Sequence, residues 1–359
     1  MLSASFCCSA LQQDSARRLN SDQCTFGWIG ETPTLDVDPH QPQDIERFGI
    51  EISWLVDCAS NLHIIMTSLQ ADVYVAPSVP AKSSAGGTVL WSPISCTLIR
   101  GKNAAVLVDT PITIKQTEDL AAWIEELIPH KNLTHVFITH GHGDHCMGIK
   151  ILQDRFPGLK AVATGGTVAH MKQQFEPKFF AGFWRGFFPE EGMLTNVEEL
   201  VIADQLPDDG VFELEGHTLR AIDVGFTDTE GTSVLHVPDL HLVVAGDVVY
   251  GDVHQYLIEA NTKAKRDEWI KAIELVENLN PHTVIPGHKR PGAVDGVHYL
   301  KSSKQYILDF QGFLDEGVSD PKMLFGKMME RYGGRLEGSK GVLFAGSAAA
   351  IAALKTEGA

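Results

Sequence analysis

Over residues 1 to about 70, apolar positions come in isolated patches among Ser, Gln, Asp and Pro, with no sustained helical or strand period. An N-terminal extension over 1–70, partly disordered, is expected; its one apolar run, IEISWLVDCASNLHIIM, has room for a single strand or helix. From Asp72 the pattern sharpens. Short apolar, β-branched runs predict strands at 72–76, 95–100, 104–109 and 134–140, then at 217–224, 232–237, 241–247 and 282–288. Leu120, Ile124, Leu127 and Ile128 share one helical face, and further helices are expected after Gly148, over roughly Ala264–Leu279, and from about His298 onward. Hairpins come first, then strands alternating with helices, in two halves. Two sheets face to face with helices outside accommodate that order, as one catalytic domain over 71–359.

Composition narrows the function. Of 359 residues, 44% are hydrophobic and 21% charged, enough apolar side chain for a sizeable core. Lys plus Arg is 29 against 46 Asp plus Glu, a net charge of −17. Such a chain repels phosphate backbones, and its Lys263, Lys265 and Arg266 stand beside Asp267 and Glu268, so no nucleic-acid partner is expected. No run approaches the ~20 apolar residues of a membrane helix, and the tract Val342–Leu354 is interrupted by Gly346 and Ser347. The N-terminus lacks a positive charge before its short apolar run, a poor secretory signal. Cys7, Cys8, Cys24, Cys58, Cys96 and Cys146 show no CxxC spacing; reduced thiols and a cytoplasmic location are expected.

The chemistry is concentrated in THGHGDHCMG, residues 139–148, on the loop leaving the strand that contains Val136, Phe137 and Ile138. Residues two apart on an extended loop point the same way, so His140 and His142 can share one ion. Asp144 and His145, opening the next helix, can turn toward a second. Gly141 and Gly143, lacking Cβ, tolerate unusual backbone angles and let the loop close around metal.

This HxHxDH pattern resembles the metallo-β-lactamase fold superfamily of metallohydrolases, and ordered matches extend over about residues 72–290. The resemblance implies an αββα sandwich of two mixed β-sheets with outer helices, the site lying at one edge between the sheets. It places a metal-bridging carboxylate at Asp247, ending HLVVAGD, and the last ligand histidine at His288, ending HTVIPGH. Asp109, ending AAVLVD, matches a strand-end Asp that orients the site. One ligand is missing: where the superfamily has Gly-His-Thr, this chain has Gly225-Phe226-Thr227, and Phe226 has no lone pair to offer. Asp228 is the nearby side chain of suitable type. The second ion keeps Asp144, His145, Asp247 and His288, a set zinc accepts. The first keeps His140, His142 and a share of Asp247, completed only if Asp228 joins; a carboxylate there tilts the site toward harder Mn²⁺ or Fe²⁺. Three states are open: two ions with Asp228 as substitute, one firmly held ion, or a degraded site.

Other residues carry weaker signals. Phe179, Phe183 and Phe187, with Phe180, Trp184 and Phe188, form two helical rows that read either as core or dimer contact or as a cover for an apolar or aromatic substrate. His254, between Tyr250 and Tyr256, is a candidate proton donor or substrate contact, and Lys289-Arg290 a candidate grip on a substrate carboxylate. The implied mechanism uses metal-bound hydroxide to open an ester, lactone, amide or lactam bond of a small molecule, with Asp144 holding the nucleophile and passing the proton. Asp247 differs from the cysteine of zinc β-lactamases, and a glyoxalase-II-type thioesterase normally keeps the histidine replaced by Phe226. An iron sulfur dioxygenase and a metal-depleted binding protein are the competing classes. The oligomeric state is left open.

Overall fold

In the computed structural model, which describes residues 69–83 and 86–357, the apolar runs assemble into two mixed sheets and a hairpin. The first half contains β1 (Gln70–Ala76), β2 (Val79–Lys82), β3 (Thr88–Trp91), β4 (Ile94–Arg100), β5 (Ala104–Val108), α1 (Ile114–Leu127), β6 (Asn132–Ile138), α2 (Gly143–Cys146), α3 (Ile149–Arg155) and β7 (Lys160–Ala163). Next come α4 (Gly165–Gln174), α5 (Pro177–Gly182), α6 (Trp184–Phe187) and β8 (Asp204–Gln205). The second half contains β9 (Val211–Leu214), β10 (His217–Gly225), β11 (Thr232–Val237), β12 (Leu242–Tyr250), α7 (Lys263–Asn278), β13 (Thr283–His288), α8 (His298–Asp315), α9 (Pro321–Tyr332) and α10 (Lys340–Glu357). One sheet runs β1-β4-β5-β6-β7-β8, the other β13-β12-β11-β10-β9. The parallel pairs β5·β6 and β12·β13 are bridged by α1 and α7, since parallel neighbours need a crossover.

The layers follow from strand alternation. On β5, Ala105 and Leu107 pack among Leu120 and Ile124 of α1, whereas Val106 and Val108 join Leu219, Leu235, Val244 and Ile285 of the opposite sheet. On β12, Leu242 and Val244 enter that same inter-sheet core, while Val243 and Ala245 meet Trp269 and Ile273 of α7 and Phe310 of α8. Strands buried on both faces read as unbroken apolar runs, which is why AVLV and LVVA stand out in the sequence. The result is the expected αββα sandwich. Helix α1 starts at a capping box, Thr113 accepting from the Gln116 amide while the Gln116 side chain accepts from the Thr113 amide.

Several features differ from the sequence pattern. The short hairpin β2·β3 and strands β7, β8 and β9 were not marked by it; each has four residues or fewer. The tract 342–354 is one uninterrupted helix, with Ser347 Oγ bonding back to the Leu343 carbonyl. No described helix is long and apolar enough to cross a membrane. The aromatic rows sit on two short helices meeting at Phe183: Phe180, Trp184 and Phe188 are buried in the core, Phe183 and Phe187 half-buried, and Phe179 exposed. The 1–70 extension lies outside the described residues except at Leu69 and Gln70, where β1 has begun pairing with Arg100. Cys7, Cys8, Cys24 and Cys58 lie outside them too; Cys96 and Cys146 are free, buried thiols.

Candidate metal centre

Strand β6 ends at Ile138 and the chain turns over the sheet edge into Thr139–Cys146, all of it buried. The turn is tied down by Asp109, just past β5. One Asp109 oxygen accepts the Thr139 amide at 2.8 Å; the other accepts the Thr139 hydroxyl at 2.8 Å and faces His145 Nδ1 at 3.0 Å. Asp109 does this with φ at 62°, a left-handed conformation that costs an L-residue roughly 1–2 kcal/mol. Gly141 and Gly143 do not have positive φ, contrary to the expectation of unusual angles. Their role is close approach: a Cβ on Gly141 would stand 2.6 Å from the Met171 amide, and one on Gly143 2.2 Å from Met147 Cε and 2.9 Å from the Trp184 ring.

Two donor clusters converge at this edge. In the first, Asp228 Oδ2 lies 2.9 Å from His142 Nδ1 and 3.7 Å from His140 Nε2. In the second, His145 Nε2 lies 3.3 Å from His288 Nε2 and 3.4 Å from Asp247 Oδ1, and His288 Nε2 is 3.3 Å from Asp247 Oδ2 and 3.6 Å from Asp144 Oδ2. Asp247 reaches both, since His140, His145 and Asp247 also form a compact group. The rings of His140 and His145 are 4.2 Å apart, so the clusters are contiguous. Asp228 is held by the Thr227 hydroxyl on its Oδ1, leaving Oδ2 turned inward.

Each histidine is oriented from behind. His140 Nδ1 faces Thr139 Oγ1 (3.1 Å), His142 Nε2 faces Glu259 Oε1 (3.1 Å), His145 Nδ1 faces Asp109, and His288 Nδ1 donates to the Pro93 carbonyl (2.7 Å). Each therefore presents its remaining nitrogen to the interior, as outer partners of metal-binding histidines do. Trp91 of the hairpin donates its indole N–H to Asp144 Oδ2 at 2.8 Å, and Tyr250 donates its hydroxyl to Asp247 Oδ2.

The electrostatics favour cations. Burial opposes charge on His145, yet Asp247, Asp144 and Asp109 push its pKa up to about 10. Burial likewise works against protonated His142, but Asp228 and Glu259 raise it well above the usual imidazole range, and Asp247 raises His288. Asp247 is held well below the carboxylate range against its burial by His288 and His145. The carboxylates thus favour positive charge at these positions. His140 is the exception: burial, then the charge on His145, keeps it neutral. Its Nε2 is buried without a hydrogen-bond partner, while Asp228 Oδ2 faces His142 Nδ1 and Asp247 Oδ1 faces His145 Nε2. A buried imidazole nitrogen left so is costly unless an ion satisfies it. The donor sets fit metal, each cluster with two imidazoles, a carboxylate of its own and a share of Asp247.

The structure thus brings together His140, His142, Asp144, His145, Asp228, Asp247 and His288. It does not bring His254 to them: that ring is buried, its Nδ1 2.9 Å from the Tyr306 hydroxyl, and the charges that act on it are Arg335 and Lys340. The Lys289-Arg290 grip is also overturned. Lys289 is buried and bonded to Asp295, and Arg290 is bonded to Asp252 and the Gly334 carbonyl. Phe226 lies outside the clusters, packed against the helical layer of the second sheet with Lys265 Nζ 4.9 Å from its ring centre. The sequence pattern missed Trp91, Glu259 and His170, which stands 5.3 Å from the His142 ring.

A fold of two facing mixed sheets with a carboxylate-shared pair of His/Asp clusters at their edge defines a metallohydrolase class. The sequence pattern of the metallo-beta-lactamase superfamily matches residues 89–288, more than half of the chain, and the chain belongs to that superfamily. It is 25% identical over 246 residues to metallo-beta-lactamase type 2 of Bacteroides fragilis, covering 68% of this chain and 85% of that protein. It is 26% identical over 202 residues to metallo-beta-lactamase type 2 of Bacillus cereus, covering 56% and 68%. Among solved structures, a metallo-beta-lactamase family protein from Thermus thermophilus matches with a TM-score of 0.52 at 18% identity, over 80% of this chain and 94% of that one.

Proposed function

We propose that this protein is a two-ion hydrolase, zinc being the first ion to test, that opens an ester, lactone, amide or lactam bond of a small molecule. The observation that carries this reading is Asp228 Oδ2, fully buried and brought within 2.9 Å of His142 Nδ1 and 3.7 Å of His140 Nε2, a carboxylate two positions past the place where the superfamily pattern has a histidine. Divalent ions bound there supply a water acidified toward neutral pH and a Lewis-acid hold on the carbonyl oxygen. The chain's own residues do the rest. Asp144 is anchored through Oδ2 by Trp91, which leaves its Oδ1 to hold and move a proton toward the leaving group. Tyr250 is committed to Asp247 and His254 is turned away, so the half-buried Tyr256, 5.3 Å from the His142 ring, is the phenol placed to meet the substrate. Trp91, Phe183 and Phe187 form a half-buried aromatic group, Trp91 and Phe187 5.3 Å apart, next to Asp144; they support an apolar or aromatic substrate.

The relatives' name puts β-lactams on the test panel, beside a γ-lactone, an aryl ester and a thioester. Metal content per chain, by mass spectrometry on protein purified without chelator, is expected to be about two, falling to about one in Asp228→Ala. Turnover of at least one panel member should fall with it. One ion or fewer in the unaltered protein sinks the two-ion reading; turnover of the thioester alone would move the protein to the thioesterase class.

A further inference from the structure

His142 differs from the other three histidines in which nitrogen faces inward. His140, His145 and His288 present Nε2; His142 presents Nδ1. An imidazole offers a lone pair at Nδ1 only when its proton sits on Nε2, so something must hold that proton. Glu259 Oε1 is 3.1 Å from His142 Nε2. Its other oxygen, Oε2, accepts the Thr229 hydroxyl at 2.7 Å, and its backbone carbonyl accepts Lys265 Nζ at 3.1 Å. The carboxylate is therefore held at Oε2 by Thr229 with Oε1 turned to His142.

Thr229 is the residue after Asp228, and its hydroxyl also stands 3.3 Å from His170 Nε2. The same turn that delivers Asp228 to the first cluster thus fixes Glu259 behind that cluster. Asp109 serves His145 in the second cluster in the same way, but it comes from the strand beside the HxHxDH loop; Glu259 comes from the loop before α7, 117 positions from its histidine.

We infer that Glu259 is a positioning residue for the first ion: it locks His142 as the Nε2–H tautomer, with Nδ1 free to ligate, and adds negative charge behind it. The second ion, on Asp144, His145, Asp247 and His288, is outside its reach. Outer carboxylates of this kind change metal affinity by roughly 10–100-fold.

The inference rests on the two-ion reading, so the test reads metal, not turnover. Full-length protein loaded with zinc is titrated with a chromophoric chelator, giving separate affinities for the two ions, for the unaltered chain, Glu259→Ala and Glu259→Gln. In Glu259→Ala the affinity of the first ion, identified as the one lost in Asp228→Ala, should fall about 10–100-fold with the other within twofold. Glu259→Gln, whose amide oxygen still accepts from Nε2, should recover part of the loss. Imidazole ¹⁵N shifts should show His142 protonated at Nε2 in the unaltered protein and a tautomer mixture in Glu259→Ala. Retention of the second ion in both variants serves as the folding control. Equal losses at both ions, or unchanged affinity with unchanged His142 shifts, overturn the role of Glu259. Fewer than two ions in the unaltered protein overturns the two-ion reading instead.

Discussion

The two clusters are built from the same inventory, two histidines and an aspartate each with Asp247 shared, but their origins differ. All four ligands of the second cluster sit at motif positions: Asp144 and His145 in the HxHxDH loop, Asp247 and His288 in β12 and β13. The first cluster takes two histidines from that loop and completes itself with Asp228, two positions past the place where the superfamily pattern expects a ligand. A ligand position can move along a loop when the loop, rather than a strand, sets it. Gly225, with φ at 84°, turns Phe226 out to the helical layer, and the buried Thr227-Asp228-Thr229 then turns in.

The largest effect should come from the shared residue. Asp247→Asn removes a charge from both clusters at once; both ions should be lost and hydrolysis should fall on the order of 1000-fold. Retention of one ion at full occupancy would mean that Asp247 belongs to a single cluster. Next, Asp228→Ala should release only the first ion and lower turnover about 100-fold; loss of both would show the clusters to be inseparable.

Asp109→Ala attacks the second cluster from behind. It strips an acceptor from the Thr139 amide, the Thr139 hydroxyl and His145 and should cost about 3 kcal/mol by chemical denaturation, on the view that each buried orphan costs ~1–3. A loss below about 1 kcal/mol would show that water replaces the carboxylate there. His254, outside both clusters, gives a pH-dependent effect. Burial, then Arg335 and Lys340, lowers its folded pKa to about 4, below the unfolded ~6.5. The unfolded chain therefore binds the proton first, so this contribution is present above pH ~6.5 and is lost as pH falls from there toward 4, by on the order of 3 kcal/mol. Unfolding curves of His254→Asn against the unaltered protein at pH 7 and 4.5 read it; parallel losses would mean His254 is not the group. The smallest effect is expected from Phe226→His, which should neither raise metal content nor rescue Asp228→Ala, because that side chain lies against Lys265. Rescue would show that the loop can turn the older position inward.

Legibility in the sequence followed the range over which each contact is made. The strands buried on both faces announced themselves as apolar runs, and the HxHxDH loop gathered four ligands within six positions. Asp228 was legible only as the nearest suitable donor. Glu259 was not, because its partner is 117 positions away and a Glu on a loop looks like any solvated charge. Trp91 escaped notice for the same reason: a four-residue strand, β3, carries it to Asp144 across 53 positions. His254 lies only seven positions past Asp247, yet β12 continues to Tyr250 and the chain then turns His254 toward α8, so nearness in sequence is not nearness in space.

The ligands straddle the seam between the two sheets. His140, His142, Asp144 and His145 follow β6 in one, while Asp228 precedes β11 and Asp247 and His288 lie on β12 and β13 in the other. An ion held by both halves is therefore also a rivet between them, and by mass action a free concentration 100 times its dissociation constant adds about 2.7 kcal/mol to the folded state. The supply of metal in the surroundings then enters the abundance of the intact protein as well as its chemistry.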